Sequence, residues 1–99
     1  MCGRYSLFAD FRKIEDRFGE ATFDISEYEK SYNIAPSQMV LSVVNDGTKN
    51  RIGYLKWGLV PPWAKDQKIG FKMINARSET VNEKPSFRDA FQKRRCLIV

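Results

Sequence analysis

The sequence predicts an α+β domain in which a mainly antiparallel, barrel-like β-sheet is flanked by short helices. Two β-rich runs, at residues 39–44 and 51–57, are joined by a turn-forming cluster at 45–50, which is typical of a β-hairpin. Apolar residues at helical spacing follow Asp10 and Ser86, which indicates two short helices. With 99 residues and a hydrophobic content of 42%, the chain suits a small domain.

The first helix is expected between Asp10 and Gly19. Asp10 suits the N-cap position, and Gly19 suits the position that follows a helix. Phe11, Ile14 and Phe18 lie at i, i+3 and i+7, so they would share one apolar face of this helix.

The second helix is expected to begin at Ser86. Asp89 follows three residues later, in the manner of a capping box. Phe87 and Phe91 lie at i and i+4, and the basic run at 93–95 suits the C-terminal end of a helix.

The chain closes on the apolar run at 96–99, which predicts the first part of a buried strand. Cys96 lies in this run and is expected to be a buried, unreactive thiol. Because an unterminated apolar strand invites wrong pairing, we expect residues 1–99 to be the N-terminal part of one larger domain. A short protein whose last strand completes a sheet is the alternative. If the chain is truncated there, exposed strand edges would favour self-association.

A stiff loop is expected after the hairpin. Pro61 and Pro62 fix the backbone and remove two amide donors, so residues 58–63 are not expected to form a strand. Trp63 at the end of this loop is either a stacking platform or a packing residue, whereas Trp57 is expected to belong to the core.

An extended segment is expected at residues 73–80. Its polar residues are spaced by two, and in a strand Asn75, Arg77 and Glu79 would share one face.

The composition favours a nucleic-acid partner. The net charge is +5, aromatic residues make up 13% of the chain, and basic and aromatic residues are interleaved, as stacking on single-stranded bases requires. An ordinary lysine-rich surface is the alternative interpretation of the charge. The chain has no histidine and no closely spaced cysteines, so neither a metal site nor another cofactor is expected.

The sequence shows no membrane or export signal. Its apolar runs are shorter than the roughly 18–20 residues of a membrane helix. Charged residues interrupt the N-terminal segment, which argues against a signal peptide. We therefore expect a cytoplasmic location and no membrane partner.

Cys2 is the residue with the most distinctive chemistry. After removal of Met1 it would carry an α-amine with a pKa of about 7.7–8.0 beside a thiol with a pKa of about 8.5. Such an aminothiol can condense with an aldehyde and close to a five-membered thiazolidine. It can equally attack an acyl group with the amine as the local base.

Five segments occur in a distinctive order along the chain. They are residues 1–5 (MCGRY), 32–36 (YNIAP), 57–63 (WGLVPPW), 74–80 (INARSET) and the expected helix at 86–91 with the run that follows it (SFRDAF, then RCLI). In this order, anchored at residue 2, they resemble the SOS-response-associated peptidase (SRAP) family. The resemblance covers the whole chain but only about the first half of a family member. It implies an α+β fold and the recognition of abasic sites in single-stranded DNA during the response to DNA damage.

The resemblance implies two catalytic residues. Cys2 matches the family's N-terminal nucleophile, which is exposed by autocatalytic processing or by an aminopeptidase. It captures the ring-opened aldehyde of an abasic site as a stable thiazolidine crosslink. Asn75 matches the residue that holds this terminus in place.

The resemblance also implies a nucleic-acid-binding set. Arg4 and Arg77 match residues that contact DNA phosphate. Trp63 matches an aromatic residue that stacks where the DNA path breaks. Asn33 and Pro36 match the turn that lines the same groove.

The chain departs from the family in its acid–base groups. The family pattern continues beyond residue 99 with a catalytic glutamate and then a catalytic histidine, whereas this chain contains no histidine. Glu79 matches a different family position. Because general acid–base catalysis contributes about 10²–10⁴-fold, a slow crosslinker or an inactive fragment is expected of these residues alone. A cysteine peptidase with an N-terminal nucleophile and a non-catalytic nucleic-acid-binding fragment remain the alternatives.

Overall fold

A computed structural model describes residues 3–26 and 28–99 of the chain. Its elements, in chain order, are β1 (Tyr5–Leu7), α1 (Phe11–Arg17), β2 (Thr22–Phe23), β3 (Ser31–Ile34), β4 (Met39–Asn45), β5 (Asn50–Lys56), a 3₁₀ helix (Gln67–Phe71), α2 (Arg88–Lys93) and β6 (Leu97–Ile98). The α+β prediction is therefore confirmed.

The strands form two sheets. The larger has the order β2-β5-β4-β6, and the smaller consists of β1 and β3. Three of the pairings are antiparallel, whereas β2 runs parallel to β5, so the larger sheet is mixed. Within the described residues neither sheet closes on itself. The sheet that the sequence predicted as barrel-like is therefore not a closed barrel.

The predicted hairpin is confirmed as β4 and β5. Its turn is closed by Asp46, whose carboxylate accepts hydrogen bonds from the backbone N–H groups of Thr48 (3.0 Å) and Lys49 (2.9 Å) and from the Thr48 hydroxyl (2.8 Å). These donors lower the pKa of Asp46 to about 2. Gly47 adopts a φ of 100° beside it, a conformation that glycine adopts without steric cost.

The core lies between α1 and the hairpin. Ile14 of α1 is 4% exposed and packs with Leu41, Val43 and Ile52 of the larger sheet. The helix predicted from the apolar spacing is thus confirmed. The Asp10 carboxylate makes no capping hydrogen bond to α1, because it pairs with the Lys30 ammonium at 2.7 Å.

The expected strand at residues 73–80 is wrong. The backbone bends at Ile74, and a turn begins at Arg77, whose carbonyl accepts hydrogen bonds from the N–H groups of Thr80 (3.2 Å) and Val81 (2.9 Å). The carbonyls of Met73 and Ile74 accept hydrogen bonds from the Leu59 N–H and the Trp57 indole N–H, which lie in the segment after β5 and not in a strand. As a result, Asn75, Arg77 and Glu79 do not share a strand face.

The second helix begins later than expected. Its N-cap is Phe87, and α2 runs over Arg88–Lys93. Ser86 is therefore not the N-cap. The backbone already turns before α2 begins, since the Arg88 N–H donates to the Lys84 carbonyl at 2.9 Å. Asp89 pairs instead with Lys93 one turn later, at 3.2 Å.

The final apolar run forms β6, but it is not buried. Leu97 is 63% exposed and Ile98 is 53% exposed, although β6 is paired with β4. Cys96 is exposed as well, so the expectation of a buried thiol is wrong. Of the helices in the described part of the chain, none has the length and apolarity needed to cross a membrane.

Candidate nucleic-acid interface and nucleophile

The predicted nucleophile, Cys2, lies outside the described residues, so its role stays a prediction. The chain is described from Gly3, and Gly3 and Arg4 are both exposed as they lead into β1. The N-terminal segment is anchored at Tyr5, which pairs with Ile34 of β3.

The β1–β3 pairing brings Arg4 and Asn33 together. An Arg4 guanidinium N–H, at Nη1, donates to the side-chain oxygen of Asn33 at 2.9 Å. Both side chains are exposed, and arginine carries five N–H donors, of which this contact uses one. Asn33 of β3 therefore orients the exposed guanidinium of Arg4.

Pro36 lies in a tight turn that connects β3 to β4. Gln38 N–H donates to the Ala35 carbonyl at 3.2 Å, and Ser37 has a φ of 76°. Proline followed by a residue with positive φ is the pattern of a type II turn. Ser37 N–H also donates to the Trp57 carbonyl at 2.9 Å, which holds the turn against the end of β5.

Trp63 lies on the loop that follows β5, and 58% of its surface is exposed. The loop is held by a close backbone contact at its base. Gly58 has a φ of 129°, and a Cβ placed on it would lie 2.5 Å from the Gly70 carbonyl oxygen. Pro61 is buried, so the loop is packed on one side and presents Trp63 on the other.

Asn75 lines a cavity of about 610 Å³ whose walls include Tyr5 of β1 and Trp57, the residue immediately after β5. The Tyr5 hydroxyl is buried with no hydrogen-bond partner among the described residues, and burial raises its pKa. Arg94 and Cys96 also line this cavity. Asn75 is thereby placed beside the strand that leads from the N-terminus.

Trp57 connects the two sides of this cavity. Its indole N–H donates to the Ile74 carbonyl at 3.1 Å, and its ring centroid lies 5.8 Å from that of Tyr5, with the planes tilted by 56°. Trp57 is half-buried. The sequence predicted only a core residue, whereas the structure shows that its side chain contacts both Tyr5 and Ile74. In the sequence, the only signal that could have marked Trp57 as part of the site was the motif at residues 57–63, which begins with it.

Arg77 is exposed two residues after Asn75, at the start of a turn. The structure thus joins Arg4 with Asn33, and it places Asn75 beside Tyr5 and Trp57. Trp63 and Arg77 are presented on separate exposed segments. In residues 3–26 and 28–99, no cluster of three or more metal-binding side chains occurs.

Comparison with known protein families shows to which family the chain belongs. The sequence matches the family described as SOS response associated peptidase (SRAP) over residues 1–99. The chain belongs to the SRAP family. The resemblance seen in the five sequence segments is therefore confirmed.

Curated SRAP relatives cover nearly the whole chain. The abasic site processing protein YoqW of Bacillus subtilis is 57% identical over 99 residues, which is 99% of this chain and 44% of the relative. The abasic site processing protein HMCES of Mus musculus is 33% identical over 121 aligned residues, covering 100% of this chain and 34% of the relative. The chain spans less than half the length of these relatives.

A solved structure shows the same fold. A protein from Bordetella bronchiseptica, determined by X-ray crystallography, superposes with a TM-score of 0.71 at 23% identity. The match covers 98% of this chain and 47% of that protein. At this identity, the likeness shows the fold alone.

Proposed function

We propose that this chain is part of a protein that recognises abasic sites in single-stranded DNA and captures them covalently through Cys2. The observation that supports the proposal most strongly is the 57% identity, over the whole chain, to a relative named as an abasic site processing protein. The net charge of +5 and the exposed Arg4, Arg77 and Trp63 are consistent with a single-stranded DNA partner. A cytoplasmic location is part of the same proposal.

The proposed reaction uses both groups of a terminal cysteine. The α-amine of Cys2, freed by removal of Met1, adds to the ring-opened aldehyde of the abasic site. Loss of one water molecule gives an imine. The thiolate then attacks the imine carbon while the nitrogen takes a proton, which closes the thiazolidine ring. No oxidant, reductant or leaving group beyond water is required.

The other residues would position the two reactants. Asn75 can donate and accept hydrogen bonds at once, so it can hold the Cys2 terminus without changing its charge. Arg4, oriented by Asn33, and Arg77 would bind phosphates near the damaged nucleotide. Trp63 would stack on a base, and Pro36 would line the groove.

The family resemblance leads to an expectation about proton transfer by residues 1–99 alone. The family's catalytic glutamate and histidine follow the positions that residues 1–99 match. We therefore expect residues 1–99 to crosslink far more slowly than a protein that also carries those groups, by about 10²–10⁴-fold if general acid–base catalysis is their whole contribution. A time course of adduct formation at matched DNA occupancy measures this ratio, and equal rates would contradict it.

A denaturing gel with a single-stranded oligonucleotide tests the covalent step. The protein is expected to form a stable adduct with DNA that contains one abasic site. The tetrahydrofuran analogue, which lacks the aldehyde, is expected to give none. Cys2→Ser is expected to lose the stable adduct because the hydroxyl is a far weaker nucleophile than a thiolate. An adduct that forms equally with the analogue would overturn the proposal.

The intact mass of the protein tests the terminus that this chemistry requires. An active preparation should lack Met1 and gain the mass of the oligonucleotide less that of one water molecule. If active protein retains Met1, the thiazolidine mechanism is wrong.

A second candidate function is peptide-bond hydrolysis with Cys2 as the N-terminal nucleophile. It is favoured by the description of the matched family as a peptidase. Removal of Met1 in a purified, aminopeptidase-free translation system would show autocatalytic processing. Retention of Met1 with DNA binding but no adduct would favour a non-catalytic nucleic-acid-binding fragment.

A further inference from the structure

We infer that Trp57 is a positioning residue that fixes Asn75 relative to the strand carrying the N-terminus. The inference rests on the proposed function, because it assigns Trp57 a part in the crosslinking reaction. It concerns a side chain that would not touch the DNA and would act through the two segments that it joins.

The contacts of Trp57 point in two directions. On one side, its ring packs on Tyr5, with a centroid separation of 5.8 Å. Tyr5 lies three residues after Cys2 and begins β1, so this contact holds the strand from which the N-terminal segment extends. On the other side, the indole N–H donates to the Ile74 carbonyl at 3.1 Å.

The Ile74 carbonyl has a particular importance for Asn75. This oxygen belongs to the planar peptide unit that also contains the Asn75 backbone nitrogen. A hydrogen bond to the oxygen therefore fixes the plane from which the Asn75 side chain departs. The segment around Asn75 is not part of a strand, so it has no sheet ladder to set this orientation.

A neighbouring hydrogen bond supports the same arrangement. Leu59 N–H donates to the Met73 carbonyl at 3.0 Å. Two successive carbonyls, of Met73 and Ile74, are thus bonded from residues 57–59. The Trp57 backbone is itself held by the turn at residues 35–38, because its N–H donates to the Gln38 carbonyl at 3.0 Å. Trp57 therefore connects the turn at residues 35–38 to the segment around Asn75.

Replacement of the indole N–H alone tests this role. Trp57→Phe keeps an aromatic ring beside Tyr5 and removes the donor to Ile74. The expected result is a fall of about tenfold in the crosslinking rate at saturating DNA, equivalent to about 1.4 kcal/mol. The DNA concentration at half-saturation should change by less than about twofold, since Trp57 would make no DNA contact. A wild-type rate at saturation would overturn the inference.

A double-variant cycle distinguishes positioning from a general loss of stability. If Trp57 acts through Asn75, then Trp57→Phe should have no further effect on the slow rate of Asn75→Ala. An equal loss in both backgrounds would overturn the inference. Ile14→Val in the core is the control for stability: at a comparable fall in melting temperature, it should leave the crosslinking rate unchanged.

If Trp57→Phe does not fold, the non-coded amino acid β-(3-benzothienyl)alanine at position 57 replaces the N–H by sulfur with the same ring shape.

Hydrogen exchange provides a readout that does not depend on the reaction. Exchange should rise at residues 73–77 and stay unchanged in the turn at 45–50. Unchanged exchange at 73–77 would overturn the positioning role. If the unmodified protein forms no adduct but exchange rises as expected, the proposed function fails, whereas the structural link by which Trp57 orders the segment around Asn75 stands.

Discussion

The guanidinium of Arg4 donates a hydrogen bond to the side-chain oxygen of Asn33, at 2.9 Å, across the pair of strands β1 and β3. These residues are 29 positions apart in the sequence, and both were expected at the DNA groove. Their contact orients the cation that immediately precedes β1. It also makes the two side chains one energetic unit, so their substitutions should not have independent effects on DNA binding.

Arg4→Ala should reduce the affinity for single-stranded DNA and the steepness of its salt dependence. Loss of one phosphate contact lowers the slope of log K against log salt by about 0.7 for single strands. Asn33→Ala should weaken binding less, since it leaves the charge in place but unoriented. A titration series over salt concentration measures both effects. Additive losses in the double variant would contradict the coupling.

Arg77→Ala is expected to reduce affinity and salt slope in the same way. Arg77 is exposed at a turn two residues after Asn75, so its removal should cost a phosphate contact and little stability. Lys49→Ala is the matched control, because Lys49 is an exposed cation in the hairpin turn, to which no DNA contact is assigned. Equal losses for the two variants would show that Arg77 contributes only to net charge.

Trp63→Ala should weaken single-stranded DNA binding by about 1–3 kcal/mol, the usual loss for one base-stacking aromatic. The melting temperature should change little, because most of the side chain is in solvent. Phe71→Ala serves as a control, since Phe71 is similarly exposed on the 3₁₀ helix. Fluorescence anisotropy with a labelled oligonucleotide measures the affinities. Unchanged binding by Trp63→Ala would mean that Trp63 has only a packing role.

Gly58→Ala should destabilise the protein by about 2–5 kcal/mol. The new methyl group would combine an unfavourable backbone conformation with a clash against the Gly70 carbonyl. Gly47→Ala separates the two causes: Gly47 also has a positive φ, but no atom lies within 4 Å of the added Cβ. It should cost only about 1 kcal/mol. Denaturant unfolding measures both variants, and equal losses would exclude a contribution from the Gly70 contact.

Acid should weaken the hairpin turn through Asp46. Its pKa is about 2 in the folded chain, below the ordinary value of 3.8. A group whose folded pKa is lowered contributes stability above its unfolded pKa and loses it as pH falls through the folded pKa. The loss should therefore develop between about pH 4 and pH 2. Asp46→Ala should be less stable at neutral pH, and its difference from the unmodified protein should shrink over this interval. A constant difference in melting temperature from pH 7 to pH 2 would contradict this assignment.

The sequence was a good guide to local structure and a poor guide to distant contacts. The hairpin was predictable because its alternating pattern and turn residues are contiguous. The parallel pairing of β2 with β5 was not predictable, since it joins residues that no local pattern relates. The extended pattern at 73–80 was misleading for the same reason: the carbonyls of Met73 and Ile74 are bonded to Leu59 and Trp57, and these tertiary hydrogen bonds replace strand pairing.

The candidate site was predictable as a set of residues but not as a geometry. The family resemblance identified Arg4 and Asn33 separately, whereas their hydrogen bond depends on the β1–β3 pairing. Trp57 was expected in the core, and only the fold revealed its hydrogen bond to the Ile74 carbonyl. Cys96 was expected to be buried because its neighbours are apolar, yet it is exposed, since it directly precedes β6, which is an edge strand of the larger sheet.

The position of β4 between β5 and β6 has a consequence during synthesis on the ribosome. β5 follows β4 after a short turn, but β6 is translated about 40 residues later. At about 5–20 residues per second, one edge of β4 therefore lacks its neighbour for about 2–8 seconds. During this interval the nascent chain exposes the unpaired backbone of its most apolar strand. The chain is thus most vulnerable to misassembly and chaperone capture before Leu97 and Ile98 emerge.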